Sequence, residues 1–169
     1  MNDNDRQTLR CIAQLLEYPD RAFFERIPEY RVRIEKEVRG FANPVLHLFL
    51  DDLEQLGARA AQEAYVAAFD HEPALSLNLT WHRYGNDRKQ GRAMASLNEL
   101  YRDAGFEPVP GVLPDYVPRV FEFLSVCEEW AAEALLDGFG PELAKISLHL
   151  ESTEYVHALL FSLAVDILS

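Results

Sequence analysis

Cysteine is nearly absent from this 169-residue chain: only Cys11 and Cys127 occur, far apart and neither in a CxxC pair. That excludes a disulfide framework and a thiolate zinc site, and leaves two free thiols of the kind usually buried. Long apolar runs are missing too. The most hydrophobic stretch, YVHALLFSLAVDILS, contains His157 and Asp166 and falls short of the ~20 apolar residues a membrane helix needs. The first residues, MNDNDRQTLR, lack the apolar segment of a secretory signal, so the sequence predicts a cytoplasmic protein without direct membrane insertion. Positive charge is scarce at the C-terminal end. Residues 107–169 hold 11 acidic side chains against Arg119 and Lys145, and supply nine of the twelve net negative charges. Such a surface repels phosphate backbones, which disfavours nucleic-acid binding, and attracts cationic partners.

What the chain has in quantity is helical periodicity. Leu9, Ile12, Ala13 and Leu16 repeat at i, i+3, i+4 and i+7 before YPD. EYRVRIEKEVRG ends at Gly40, which reads as a left-handed terminator. Asn43-Pro44 reads as a helix start, with Leu46, Phe49, Leu53 and Leu56 on one face and a break at Gly57. Ala61, Ala64, Tyr65, Ala68 and Phe69 form the next stripe. DHEPALSLNLTW alternates Leu75, Leu77, Leu79 and Trp81 and reads as an extended buried loop. Asp87 opens a helix ended by Gly105, and four prolines stiffen FEPVPGVLPDYVP. A helix from Pro118 through Leu135 is expected to stop at DGFGP. Ser152 or Thr153 then caps the last one. With no repeat and no linker, residues 1–169 are predicted to be one all-α domain of about seven to nine helices.

Catalytic signatures are absent. There is no GxGxxG, GxxxxGK[ST] or GxSxG, and His82 has no paired nucleophile. EYVH places Glu154 and His157 at i, i+3, half of the pattern that di-iron bundles use twice. A metal-dependent bundle enzyme built on that pair is therefore the rival of a different class. The loops are richer than a bundle needs. FDHE, WHRYGNDR and LPDYVP gather Asp70, Asp87 and Asp115 among aromatic residues, a composition suited to a basic, partly apolar peptide.

Five stretches carry a resemblance: LLEYPD (15–20), YVAAFD (65–70), LSLNLTWHRYGNDRKQGRAM (75–94), LYRDAGF (100–106) and LPDYVPRVFEFLS (113–125). In order and spacing they resemble the NarJ family, the delta-type assembly chaperones of molybdenum-containing nitrate reductases in the TorD/DmsD-like superfamily. The chain departs from the family's pattern at Ala68, where a threonine is usual, at Gln90, where an arginine is common, and at Asp87-Arg88 in place of Ser-Arg.

The resemblance implies a TorD/NarJ-like helical fold and a cytoplasmic chaperone with no catalysis and no cofactor of its own. Its partner would be the N-terminal signal-like peptide, a twin-arginine signal or its vestige, of an apo molybdoenzyme catalytic subunit. It would hold that subunit during molybdenum cofactor insertion and delay membrane docking. Nitrate reductase is the favoured client, and another enzyme of the dimethyl sulfoxide reductase family the alternative. The chain would be a monomer or a helix-swapped dimer. On this reading Asp70, Asp87 and Asp115 meet the client's cations, while Tyr65, Phe69, Trp81, Tyr84, Met94, Tyr101 and Phe121 floor a groove. His82, Arg88, Gly91 and Arg92 complete the central segment, with Arg88 and Arg92 either contacting the client or pairing internally, and Gly91 permitting close helix packing. Leu113, Pro114, Tyr116 and Pro118 shape the adjoining loop. Losing Asp115 or Tyr65 is expected to weaken client binding more than stability.

Overall fold

The computed structural model describes residues 1–169 and is all helical. Its α-helices are α1 (Asp3–Leu15), α2 (Arg21–Glu25), α3 (Ile27–Glu37), α4 (Ala42–Leu56), α5 (Ala58–Tyr65), α6 (Leu79–Tyr84), α7 (Lys89–Asp103), α8 (Val117–Leu124), α9 (Glu129–Glu151) and α10 (Ala158–Leu168). Eight of the ten have seven or more residues, in line with the expected bundle; α2 and α6 are the short additions. The largest packings are α1 on α8 and α9 on α10, with α4 against α10 and α3 bridging α1 and α4. One core runs through all of them, and Leu9, Ile12, Leu46, Phe49, Phe121 and Phe161 have no exposed surface.

Local chemistry explains most boundaries. Asn2 and Asp5 form a reciprocal capping box at α1. The Asp20 carboxylate accepts from the Phe23 N–H at 2.8 Å and starts α2. Gly57 turns the chain between α4 and α5 at φ +82°, a backbone region where an L side chain is strained. Asn43 does not cap α4, which starts one residue earlier. Its side-chain amide instead donates to the carbonyls of Ile34 and Val38, closing the end of α3.

Three expected elements differ. The helix expected from Pro118 to Leu135 is broken after Leu124. The Arg6 guanidinium donates to the carbonyls of Ser125 and Cys127, at 3.4 and 2.8 Å, and so satisfies groups the break sets free. DGFGP does not stop α9, which runs for 23 residues through Pro141. A proline inside a helix costs about 3 kcal/mol; here Leu135, Phe139, Leu143, Ile146 and Leu150 bury a continuous stripe on either side of it, each worth about 1.5–3 kcal/mol. Packing wins. Finally, Ser152 and Thr153 do not cap α10. Their hydroxyls donate back to the His149 and Leu150 carbonyls and finish α9, and α10 begins only at Ala158.

Candidate functional site

The segments singled out in the sequence are fastened to one another from the backbone up. Residues 77–79 and 115–117 form a one-residue antiparallel bridge, Asn78 opposite Tyr116. The Val117 N–H donates to the Leu77 carbonyl at 2.8 Å and the Leu79 N–H to that of Asp115 at 3.1 Å. This is the extended partner that no strand pattern announced. Leu75, Leu77 and Leu79 are buried as their alternation implied, but the chain turns helical at Leu79 to make α6. Asp115 is fully buried. Its carboxylate accepts from the Thr80 N–H at 3.0 Å, from the Thr80 hydroxyl and from the Asn78 amide. The Tyr101 hydroxyl donates to the Pro114 carbonyl at 2.6 Å, and His82 Nε2 to the Ser76 carbonyl at 2.7 Å.

A second knot joins α5 to α1. The last turn after α5, Val66–Asp70, is a π-helical turn closed by the His71 N–H on the Val66 carbonyl at 3.1 Å. Its wider turn keeps Ala68 and Phe69 inside and puts Asp70 at the surface. Ala68 sits in a fully enclosed position where a hydroxyl would need a partner. The Tyr65 hydroxyl donates to the Leu16 carbonyl at 3.0 Å and lies 3.3 Å from the Tyr116 hydroxyl, which in turn reaches Glu17 at 3.4 Å. Burial pushes the Tyr116 phenol up to about 12 and raises the Tyr65 phenol further.

The structure therefore sorts the expected site residues. Tyr65, Phe69, Tyr101, Pro114, Asp115, Pro118 and Phe121 are buried. Trp81, His82, Tyr84, Met94 and Tyr116 are half-buried, and Asp70, Asp87, Arg88 and Leu113 are exposed. The three aspartates do not converge: Asp115 is spent inside, and Asp87 lies one residue ahead of the α7 N-cap, Arg88, with its carboxylate accepting the Lys89 N–H at 2.8 Å in a local turn. Arg88 and Arg92 are absent from the ion pairs, so the internal-pairing role is not what they do. No other element of the chain packs closely on Gly91 either, since a Cβ there would meet nothing within 4 Å. Glu154 is exposed in the link between α9 and α10, whereas His157 is buried at the edges of Phe49, Tyr65 and Phe69, with ring centroids 5.0–5.6 Å away. The two do not share a helix face. The His157 Nδ1 has no partner, and desolvation lowers the pKa of the ring to about 4.

Concavities lie elsewhere, one between α9 and α10, one beside Tyr18, Phe23 and Tyr30, and two on the outer face of α1. Two cavities, about 260 and 380 Å³, share Arg10, Gln14, Arg119 and Glu122 and so form one trough between α1 and α8. Its walls are Ala13, Val109, Val112, Tyr116 and Pro118 toward one end, and Phe106, Phe123 and Val126 toward the other, where Arg33 and Glu37 also stand. Arg119 pairs with Glu122 at 2.6 Å, and Arg33 donates to Gln14 at 2.6 Å. Desolvation raises the Glu17 carboxyl above its ordinary range at the Tyr116 end. Arg10, Gln14 and Glu17 were not singled out by sequence reasoning. At i, i+4 and i+7 they read as the solvent face opposite Leu9, Ile12 and Leu16, and only the packing of α8 beside them makes a trough floor. Neither thiol adds chemistry: both cysteines are buried, and burial pushes Cys11 up to about 11.

LPDYVPRVFEFLS supplies Tyr116, Pro118, Arg119, Glu122 and Phe123 to the trough, while LLEYPD adds Glu17 and LYRDAGF adds Phe106. The family model for the nitrate reductase delta subunit matches residues 35–152. The chain belongs to this nitrate reductase delta subunit family. It is 28% identical to the probable nitrate reductase molybdenum cofactor assembly chaperone NarJ of Bacillus subtilis (strain 168), over 94% of this chain and 86% of that protein. It is 32% identical to the nitrate reductase molybdenum cofactor assembly chaperone NarJ of Escherichia coli (strain K12), over 94% of this chain and 68% of that one. It is also 28% identical, over 81% of its length, to a part of the nitrate reductase-like protein NarX of Mycobacterium tuberculosis that makes up 20% of that protein. The expectation of a non-enzymatic chain rests on this membership, since the delta family's NarJ members are named as assembly chaperones. No helix is long and apolar enough to cross a membrane.

Proposed function

We propose that this chain is the assembly chaperone of a respiratory nitrate reductase, and that it holds the N-terminal segment of the apo catalytic subunit in the α1–α8 trough. It does so while the molybdenum cofactor is inserted in the cytoplasm and before the subunit docks at the membrane. The observation that carries this reading is the wall that the family-matching segment LPDYVPRVFEFLS gives the trough, joined by Glu17 and Phe106 of two others. Aliphatic and aromatic walls suit the apolar face of an amphipathic segment, and charges of both signs along the floor fix its register. Tyr116, Pro118 and the exposed Leu113 are the members of the sequence-derived set that stand at or beside the trough; Tyr65, Tyr101, Asp115 and Phe121 support it from within.

Calorimetric titration with a synthetic peptide of the catalytic subunit's N-terminal residues tests this. Micromolar binding is expected, and Gln14→Trp, which fills the trough from its floor, should weaken it at least tenfold while lowering the melting temperature by no more than loss of the Arg33–Gln14 bond accounts for. Equal affinity for the variant would move the binding surface away from α1. Binding only to a leader from another molybdoenzyme would change the client.

A further inference from the structure

The longest family-matching segment, LSLNLTWHRYGNDRKQGRAM, contributes no residue to the trough. Its C-terminal part forms the start of α7, of which the half-buried Ala93 packs against the core while the charged residues do not. The buried residues of α7 are Leu97 and Tyr101, both in its second half. Across Lys89–Ser96 nothing is fully buried, and Gly91, Arg92, Ala95 and Ser96 are exposed. Stability does not account for the charges either. Arg88, Lys89 and Arg92 sit at the positive end of the helix dipole, where cations are unfavourable, and the first turn has no acidic residue. Six arginines elsewhere are held in ion pairs; these three cations have none, although the chain carries twelve net negative charges.

We propose that Arg88, Lys89 and Arg92, with the small exposed residues Gly91, Ala95 and Ser96, form a docking surface for an acidic face of the client's folded body. The identity of the partner rests on the chaperone reading above. Charge complementarity argues for the occupant's sign, because this is a concentrated, unpaired positive surface on an acidic chain. Arg88 and Arg92, one helical turn apart, match carboxylates spaced one turn apart on a facing helix. Gly91, with open space where a Cβ would stand, lets that helix approach the α7 backbone. A free phosphate fits less well. Two of the first-turn N–H groups that would cradle it are taken by Asp87, whose carboxylate accepts from Lys89 at 2.8 Å and whose carbonyl accepts from Gln90 at 2.9 Å. The three unpaired side chains are the stronger donors left to meet an anion.

The test compares two probes, the full-length apo catalytic subunit and its isolated N-terminal peptide, on the wild-type chain and on the triple variant R88E/K89E/R92E. The expected result is at least tenfold weaker binding of the full subunit at low salt, a smaller difference at high salt, and unchanged affinity for the peptide. The melting temperature should hold or rise, because acidic side chains suit a helix start. The milder R88Q/K89Q/R92Q variant should lose at least threefold for the subunit. Unchanged subunit binding by the triple variant overturns the proposal, as does an equal loss for peptide and subunit, and so does an effect reproduced by competing inorganic phosphate alone. Failure of the wild-type chain to bind the peptide counts against the trough, whereas subunit binding lost on charge reversal upholds this surface.

Discussion

Asp115 shows how burial changes what a residue is for. Its carboxylate holds the Thr80 N–H and hydroxyl with no access to solvent. Removing it strands two buried donors, each costing about 1–3 kcal/mol. Asp115→Ala should therefore lower unfolding free energy by about 2–4 kcal/mol in a urea titration, with Asp115→Asn losing less; a change under ~1 kcal/mol would mean that Thr80 finds water. The loss of stability comes first, which reverses the expectation of a mainly client-binding role for Asp115 and for the buried Tyr65. His157 makes a pH-dependent counterpart. Its folded pKa of about 4 lies below the ordinary value of 6.5, so the unfolded chain binds the extra proton. Its penalty is absent above pH ~6.5, grows as pH falls toward 4 and then levels off at about 3 kcal/mol. His157→Phe, which keeps the contacts with Phe49 and Phe69, should flatten the stability profile across that window. An unchanged slope would assign it to other groups.

At the scale of elements, α6 is the piece whose place most needs explaining, since six residues cannot hold a helix by themselves. It is fixed on one side by the bridge to residues 115–117 and on the other by Arg83, which donates to both oxygens of the buried Glu142 on α9 at 2.9 and 2.7 Å. The Arg83 guanidinium also lies 5.2 Å from the ring centre of Phe139, one turn before Glu142 on the same helix. Arg83→Met leaves the Glu142 charge buried without a partner and should cost about 3 kcal/mol, much of it recovered in the double variant with Glu142→Leu. Chemical unfolding of the four proteins in that cycle measures the coupling. Additive losses would show that the pair is two independent residues.

Over the whole molecule, two kinds of electrostatics act at different ranges. The trough carries Arg10, Arg33 and Arg119 against Glu17, Glu37 and Glu122, so a segment bound there would meet both signs at close quarters. The full chain presents a net charge of −12 to an approaching one. Added salt should accordingly slow association of a basic client peptide several-fold and leave its dissociation rate nearly unchanged. Stopped-flow measurements at low and high salt separate the two. A salt effect mainly on dissociation would place an unbalanced charge pair in the trough.

The apolar periodicities of α1, α4, α7 and α10, the turn at Gly57 and the family-matching segments were legible in the sequence, because 3.6-residue spacing and left-handed glycines are local properties of the chain. They determined an all-α bundle and its family. The sequence did not show that α9 continues through Pro141, that Asn43 and Thr153 close the helices before them, or that residues 77–79 find a partner at 115–117. Each of those is settled by groups distant in sequence or by burial that outweighs local propensity. The trough is of the same kind: Arg10 and Gln14 of α1, and Glu17 just beyond it, are ordinary surface residues until α8 packs alongside and gives them a second wall.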